Sequence, residues 1–204
     1  MKHIQLLILG IGNILWADEG FGVRCVEALD AGWQFGDDVK LMDGGTQGLY
    51  LLPYIEDARR LIVFDAVDYD KQPGEMVVAH DDDVPRFMGA KKMSLHQTGF
   101  QEVLACAALA GKLPESMTLI GVQPEQLEDY GGSLRDVVKA RIPDALEIAL
   151  AHAARWGIAF APRVSPQGVD SGALGMSSYE AGRPSEEQAC RYGDERFFAA
   201  STEQ

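Results

Sequence analysis

The sequence predicts an α/β domain of three layers, in which a twisted, mostly parallel five-stranded sheet lies between helices. Two observations predict this fold class. Short apolar runs of strand length alternate along the chain with segments of helical periodicity. The first and third of these runs are almost continuously apolar, which is typical of strands buried on both faces of a parallel sheet.

Five segments of the chain are predicted to form the strands of the sheet. The strand at 60–68 is the most strongly indicated, because its residues are apolar and it ends in an acid. The first strand is a short apolar run that soon meets glycine, so it does not have the pattern of a signal peptide. In chain order the five predicted strands are 4–10, 39–43, 60–68, 74–80 and 117–123.

Helical segments occupy the intervals between these strands. Pro143 is expected to kink or split the last helix, because proline lacks the N–H donor and clashes with the preceding turn. The predicted helices begin at Glu19, lie within 47–58, run from about Ser94 to Ala110, and span 132–157. The pattern then fades, so we predict one domain at 1–160 and a loosely ordered C-terminal tail at 161–204.

Composition and charge exclude several classes of protein. The 204 residues suit one domain, and the formal net charge of −13 argues against nucleic-acid binding, which requires clustered lysine and arginine. No apolar run approaches the ~18 residues of a membrane-spanning helix. None of the three cysteines forms a CxxC pair, so we expect no disulfide framework and a reduced, cytoplasmic setting, with Cys25 and Cys106 as core thiols.

The turn after the first strand, GIGNILWADEGFG at 10–22, is similar to a dinucleotide-binding loop. The GxGxxG pattern fails because Leu15 occupies the third glycine position, which makes a nucleotide-binding protein a weaker alternative. Asp18 is a candidate N-cap for the helix that begins at Glu19, where acids are favoured by the helix dipole.

Three acids follow predicted strands. Glu19 lies just past the first strand, Asp43 ends the second, and Asp65 ends the third. Ligands of open parallel sheets bind at the carboxyl ends of the strands, so we expect these acids to face one crevice. Asp65 has apolar neighbours, and a metal or a proton partner would offset the cost of burying it. Asp68 and Asp70 are assigned to a solvated turn.

A histidine is predicted to complete this crevice. Ser94 and Gln97 match the capping box S-x-x-Q, which places His96 in the first turn of a helix. The helix dipole there favours the neutral imidazole that binds metals, although a surface histidine is the simpler alternative. Two carboxylates and one histidine would form a plausible site for a divalent transition metal.

Five motifs follow one another along the chain: GIGNILWADEGFGVR, DGGTQGLYLL, FDAVDY, KKMSLHQTGF and IGVQPEQLEDYGGSL. In this order they resemble the [NiFe]-hydrogenase maturation proteases, and the similarity is greatest to the branch that processes uptake hydrogenases. The resemblance covers residues 4 to about 157, and the segment from Met176 is similar to that branch's C-terminal extension.

The resemblance implies an endopeptidase that removes a short C-terminal extension from the hydrogenase large-subunit precursor after nickel insertion. It implies metal contacts by Glu19, Asp65 and His96, and a substrate cleft that includes Asp43, Gly44, Gly45 and Thr46. Nickel would be carried by the substrate, with no organic cofactor. We expect a cytoplasmic monomer that forms transient complexes with the precursor and does not bind membranes.

The residues are compatible with an aspartic-type or metal-assisted hydrolase. The chain has no GxSxG elbow and no HExxH helix, so activated water is the expected nucleophile. Either Asp65 or Glu19 could be the general base and catalytic residue. The main alternative is a non-catalytic, nickel-sensing chaperone of the large subunit. Leu15, Trp16 and Phe21 either pack on the sheet or line the cleft.

Overall fold

The computed structural model describes residues 2–85, 95–164 and 175–182, with the backbone alone for 95–98 and 177. Its centre is a five-stranded sheet in the order β3-β1-β4-β6-β5. All pairs are parallel except the antiparallel pair of β5 and β6. These strands are β1 (Leu6–Ile11), β3 (Val39–Gly45), β4 (Arg60–Ala66), β5 (Met76–His80) and β6 (Ser116–Val122).

The predicted fold class and the five predicted strands are confirmed. Two short strands were not predicted: β2 (Trp33–Phe35) pairs with β7 (Phe160–Pro162) in a separate antiparallel sheet. Among the described residues, no helix has the length and apolar character needed to cross a bilayer.

The helices connect the strands in the predicted order. Pro143 lies in the first turn of α5, so the long predicted helix is split into two, as proline at that position favours. The α-helices are α1 (Phe21–Gly32), α2 (Leu52–Asp57), α3 (Leu95–Leu109), α4 (Asp136–Lys139), α5 (Ile142–Arg155) and α6 (Met176–Gly182). Turns of 3-10 helix occur at Ala17–Gly20 and Gly48–Leu51.

Each face of the sheet has its own apolar core. Along β1, Leu6 and Ile8 pack with α1 and α5, whereas Leu7 and Leu9 pack with α2 and α3. This alternation follows from the two-residue period of a strand. Cys25 is fully buried in the first core, as predicted, and Cys106 is only half-buried.

Helix α1 lies unusually close to the sheet. A Cβ atom on Gly22 would stand 2.2 Å from the Phe64 carbonyl oxygen and 2.3 Å from that of Ile11. Both neighbours are backbone atoms of central strands, so they cannot move aside cheaply. Glycine at this position therefore sets the distance between the start of α1 and the carboxyl ends of β1 and β4.

Asp18 fastens the turn before α1 to two other loops. Its fully buried carboxylate accepts backbone N–H bonds from Glu125 and Gln126, both at 2.8 Å, and from Arg135 at 2.7 Å. The predicted N-cap role is wrong, because Asp18 lies inside the Ala17–Gly20 turn and α1 begins at Phe21 without a side-chain cap. A sequence pattern cannot distinguish these roles, since all three donors lie over 100 residues away.

The C-terminal region contributes one described helix to the body of the protein. In α6, the Glu180 carboxylate accepts hydrogen bonds from Ser133 at 2.9 Å and Lys139 at 2.8 Å. The Tyr179 ring lies 5.6 Å from the Arg24 guanidinium. The boundary at 160 and the looseness of the tail stay predictions, since 165–174 and 183–204 lie outside the described residues.

A pair of glycine substitutions tests the close approach of α1. Gly22→Ala is expected to lower the free energy of unfolding by roughly 3 kcal/mol or more, because overpacking displaces backbone. Gly32→Ala adds a methyl group with nothing within 4 Å and should be neutral or stabilising by up to ~1 kcal/mol. Urea unfolding measures the free energy of unfolding of both variants. Equal changes would contradict the close packing of α1 at Gly22.

Removing the Asp18 carboxylate should also destabilise the protein. Asp18→Ala leaves three partly buried backbone N–H groups without their acceptor, so we expect a loss of on the order of 3 kcal/mol in the free energy of unfolding. The exposed turn residue Asp37 supplies the control, and Asp37→Ala should change stability by less than ~0.5 kcal/mol. A loss in Asp18→Ala no larger than in this control would show that the three bonds contribute little.

Candidate active site

The turn that carries Glu19 depends on a second close glycine contact. Gly12 has a φ of 126°, and a Cβ atom there would lie 1.8 Å from the backbone oxygen of Glu19. The chain can therefore fold back on itself after β1. Glycine in this turn therefore allows two backbone segments to pack closely. The 3-10 turn that follows places Glu19 beside the carboxyl end of β1.

Glu19 is partly buried, and its pKa is higher than is usual for a glutamate. Its side chain is half-buried and its Oε2 atom is fully enclosed. Burial raises the pKa of Glu19 from 4.5 to about 7, because a charged carboxylate loses hydration there. At neutral pH the group is therefore close to half ionised, which is the state suited to accepting or giving up a proton.

Asp65 occupies the penultimate position of β4. It is 2% exposed and lies opposite Gly121 of β6. Burial, and then the negative charge of Asp65, raise the pKa of Tyr69 to about 12. The Tyr69 phenol therefore remains protonated near Asp65 over the whole physiological range.

Gln123 shapes the loop that carries Tyr69. Its side-chain oxygen accepts N–H bonds from Tyr69 at 2.7 Å and Lys71 at 3.2 Å, and its amide nitrogen donates to Asp68 at 2.9 Å. Asp68 is consequently half-buried and belongs to this network, in contrast to the predicted solvated turn. Asp70 is exposed, as predicted.

Asp43 lies two residues before the end of β3, at the same level of the sheet. It lies opposite Gly10 of β1, and Gly10 lies opposite Phe64, the residue before Asp65. Partial desolvation raises the pKa of Asp43, and the nearby Glu27 adds to this shift, although the Gly45 N–H and Arg24 oppose it.

The rest of the predicted cleft segment follows Asp43 at this edge. Gly44 is buried, and a Cβ atom there would lie 2.8 Å from the Ile11 side chain. Gly45 has a φ of 43°, a conformation that favours glycine, and its carbonyl accepts the Gly12 N–H at 3.1 Å. Thr46 is exposed.

The backbone of His96 lies in the first turn of α3, as predicted. Three residues later, a Cβ atom on Gly99 would lie 3.5 Å from the Cα of Gly48, which follows the cleft segment. The start of α3 therefore reaches the same edge as the acids. The His96 side chain and the predicted cap Ser94 lie outside the described residues.

The structure thus places the three predicted acids at the carboxyl edge of the sheet. Within the described side chains, no group of three or more His, Cys, Asp or Glu is close enough to hold a metal ion. The set of Glu19, Asp65 and His96 stays a prediction, because one of its side chains is not among those described.

Sequence reasoning missed the loop that covers the turn. The Trp16 and Tyr130 rings meet edge to face at 5.2 Å, and Arg135 donates to the buried Asp129 at 2.8 Å. Phe21 is fully buried, as expected for a residue that packs on the sheet, and Leu15 is exposed. The acids and aromatic residue of the QLEDYGG segment were the available signal.

Comparisons with known proteins give a consistent result. The family model described as hydrogenase maturation protease matches residues 23–152. The chain is 58% identical to the hydrogenase expression/formation protein HoxM of Azotobacter vinelandii, over 97% of this chain and 96% of that protein. It is 56% identical to HupD of Rhodobacter capsulatus, over 98% and 96% of the two chains.

A solved structure has the same fold. The hydrogenase maturating endopeptidase HybD of E. coli superposes with a TM-score of 0.74 at 40% identity, covering 78% of this chain and 98% of that one. Part of this chain therefore has no counterpart in that structure. The matching family model, the close relatives over nearly their whole length, and the shared fold show that this chain belongs to the hydrogenase maturation protease family.

Proposed function

We propose that this chain is the endopeptidase that removes the C-terminal extension of a [NiFe]-hydrogenase large-subunit precursor after nickel insertion. Membership of the family supports the reaction class and the substrate. The observation that carries the proposal is the pair of enclosed carboxylates, Glu19 and Asp65, at the ligand-binding edge of the sheet. The enzyme acts in the cytoplasm as a monomer and releases the processed precursor.

In the proposed reaction, water attacks the scissile carbonyl and Glu19 takes its proton. A base with a pKa of about 7 suits this task, because it is partly ionised at neutral pH and binds a proton readily. The proton then passes to the amine of the departing extension as the C–N bond breaks. The carboxylate of Asp65 orients the reacting groups, and the protonated Tyr69 lies near it as a hydrogen-bond donor.

Nickel in this proposal belongs to the substrate. Burial makes the ionised forms of the enclosed carboxylates costly, and a divalent cation brought by the precursor would offset that cost. The cation would lower the pKa of Glu19 and increase its ionised fraction. Glu19, Asp65 and His96 would then contact the nickel, and cleavage would report that the precursor is loaded.

Two conservative substitutions separate catalysis from binding. Glu19→Gln and Asp65→Asn keep the shape of each side chain but remove the charge, so we expect cleavage to fall by about 10²-fold or more with precursor binding retained. Mass spectrometry of nickel-loaded precursor measures the cleavage. Glu147→Gln, on the exposed face of α5, is the matched control and should cleave normally.

The same assay tests the role of nickel and the alternative function. His96→Ala should slow cleavage of the loaded precursor, and wild-type protein should leave nickel-free precursor intact. Equal cleavage of loaded and nickel-free precursor would overturn the nickel dependence. If the wild-type protein binds the loaded precursor and never cleaves it, the chain is instead a nickel-sensing chaperone.

The acidity of Glu19 also predicts how stability depends on pH. Between the unfolded pKa of 4.5 and the folded pKa of about 7, the folded state binds more protons than the unfolded state. Glu19 therefore lowers the free energy of unfolding as pH rises through this window. Glu19→Gln removes that term, so its stability relative to wild type should rise with pH and level off above about pH 7.

Urea unfolding in metal-free buffer, repeated from about pH 4 to about pH 8, measures this difference. Glu147→Gln should show no comparable trend, because Glu147 is exposed. A stability difference between Glu19→Gln and wild type that stays constant over the whole range would contradict the raised pKa.

A further inference from the structure

A groove of about 660 Å³ lies between α1 and β3. Helix α1 contributes Val26, Glu27 and Asp30 to its wall, which share one helix face through their spacing. Strand β3 contributes Val39, Lys40, Leu41 and Asp43, and the alternate residues Val39 and Leu41 pack with the core that contains α1. The groove therefore follows the length of β3.

One end of the groove opens at the candidate active site. Ile14 and Asp43 line that end. Asp43 lies at the carboxyl end of β3, and two residues later Gly45 bonds to Gly12, which supports the backbone of Glu19. A chain that follows the groove in this direction is therefore led toward the segment that supports Glu19.

Strand β3 is an edge strand. In the described part of the sheet it pairs only with β1, so its other side presents backbone N–H and C=O groups along the groove. An extended peptide can add to such an edge as a further strand, with main-chain hydrogen bonds providing affinity and alternate side chains entering the adjacent groove. The apolar residues Val39 and Leu41 would receive those side chains.

The charges of the groove differ between its two ends. At the far end Arg163 donates to Asp30 at 2.9 Å, so these charges neutralise each other. At the active-site end Arg24 likewise donates to Glu27 at 2.8 Å, and the carboxylate of Asp43 adds a further negative charge. A positively charged side chain of an occupant would be favoured beside Asp43 and Glu27.

We propose that the C-terminal region of the precursor binds along β3 as an added strand, with a basic side chain between Glu27 and Asp43. Apolar side chains of the same segment enter the groove over Val39 and Leu41, and the scissile bond is thereby directed toward Glu19. This inference rests on the proposed function, because it names the path by which that substrate reaches the site.

Amide hydrogen exchange tests the path directly. The full-length Asp65→Asn variant is mixed with a synthetic peptide that spans the scissile bond and the whole extension. Binding should slow exchange at outward-facing amides of 39–45. Because this measurement needs no cleavage, an active Asp65→Asn variant would contradict the catalytic assignment and leave the groove result intact. Binding without protection in β3 would overturn the added strand.

Charge substitutions test the position of the basic side chain. Glu27→Gln retains a hydrogen-bond acceptor for Arg24, and we expect it to weaken peptide binding about fivefold by calorimetry. Glu147→Gln on α5 should leave the affinity unchanged. In Glu27→Lys, binding should recover when one particular basic residue of the peptide is replaced by glutamate. Equal affinities for Glu27→Gln and Glu147→Gln, or no recovery with any such peptide, would overturn the proposed contact.

Discussion

The contact between the backbone of α1 and the central strands is the constraint on which the site depends. Gly22 brings the first turn of the helix against the carbonyls of Ile11 and Phe64. Glu19 precedes this turn, and Asp65 follows Phe64 directly. The distance between the two acidic segments is therefore set by backbone packing, which is stiffer than any contact between flexible side chains.

This rigid arrangement has an electrostatic cost. The edge carries carboxylates that burial makes harder to ionise, as the pKa shifts of Glu19 and Asp43 show. The buried carboxylate of Asp18 is different, because three backbone N–H groups satisfy it. Asp18 of the DEG turn thus stabilises the fold. Its neighbour Glu19 is held where ionisation is costly, and a nearby positive charge would lower that cost.

The sequence predicted the fold and the acids because both depend on local patterns. Apolar runs identify the strands, and a parallel sheet gathers the residues that follow them at one edge. The role of Asp18 and the Gln123 network could not be predicted, since their partners are distant in the chain. The β2–β7 pair was missed because three-residue strands carry almost no periodic signal.

Helix α6 connects the C-terminal region to the loops around the turn that carries Glu19. Its Glu180 bonds to Ser133 and Lys139, on either side of Arg135, whose N–H is bound by Asp18. Helix α6 therefore packs against the loops around the turn that carries Glu19. Since Asp18 binds the same loops, loss of the contacts at Glu180 would weaken the support of that turn without removing a carboxylate from the edge.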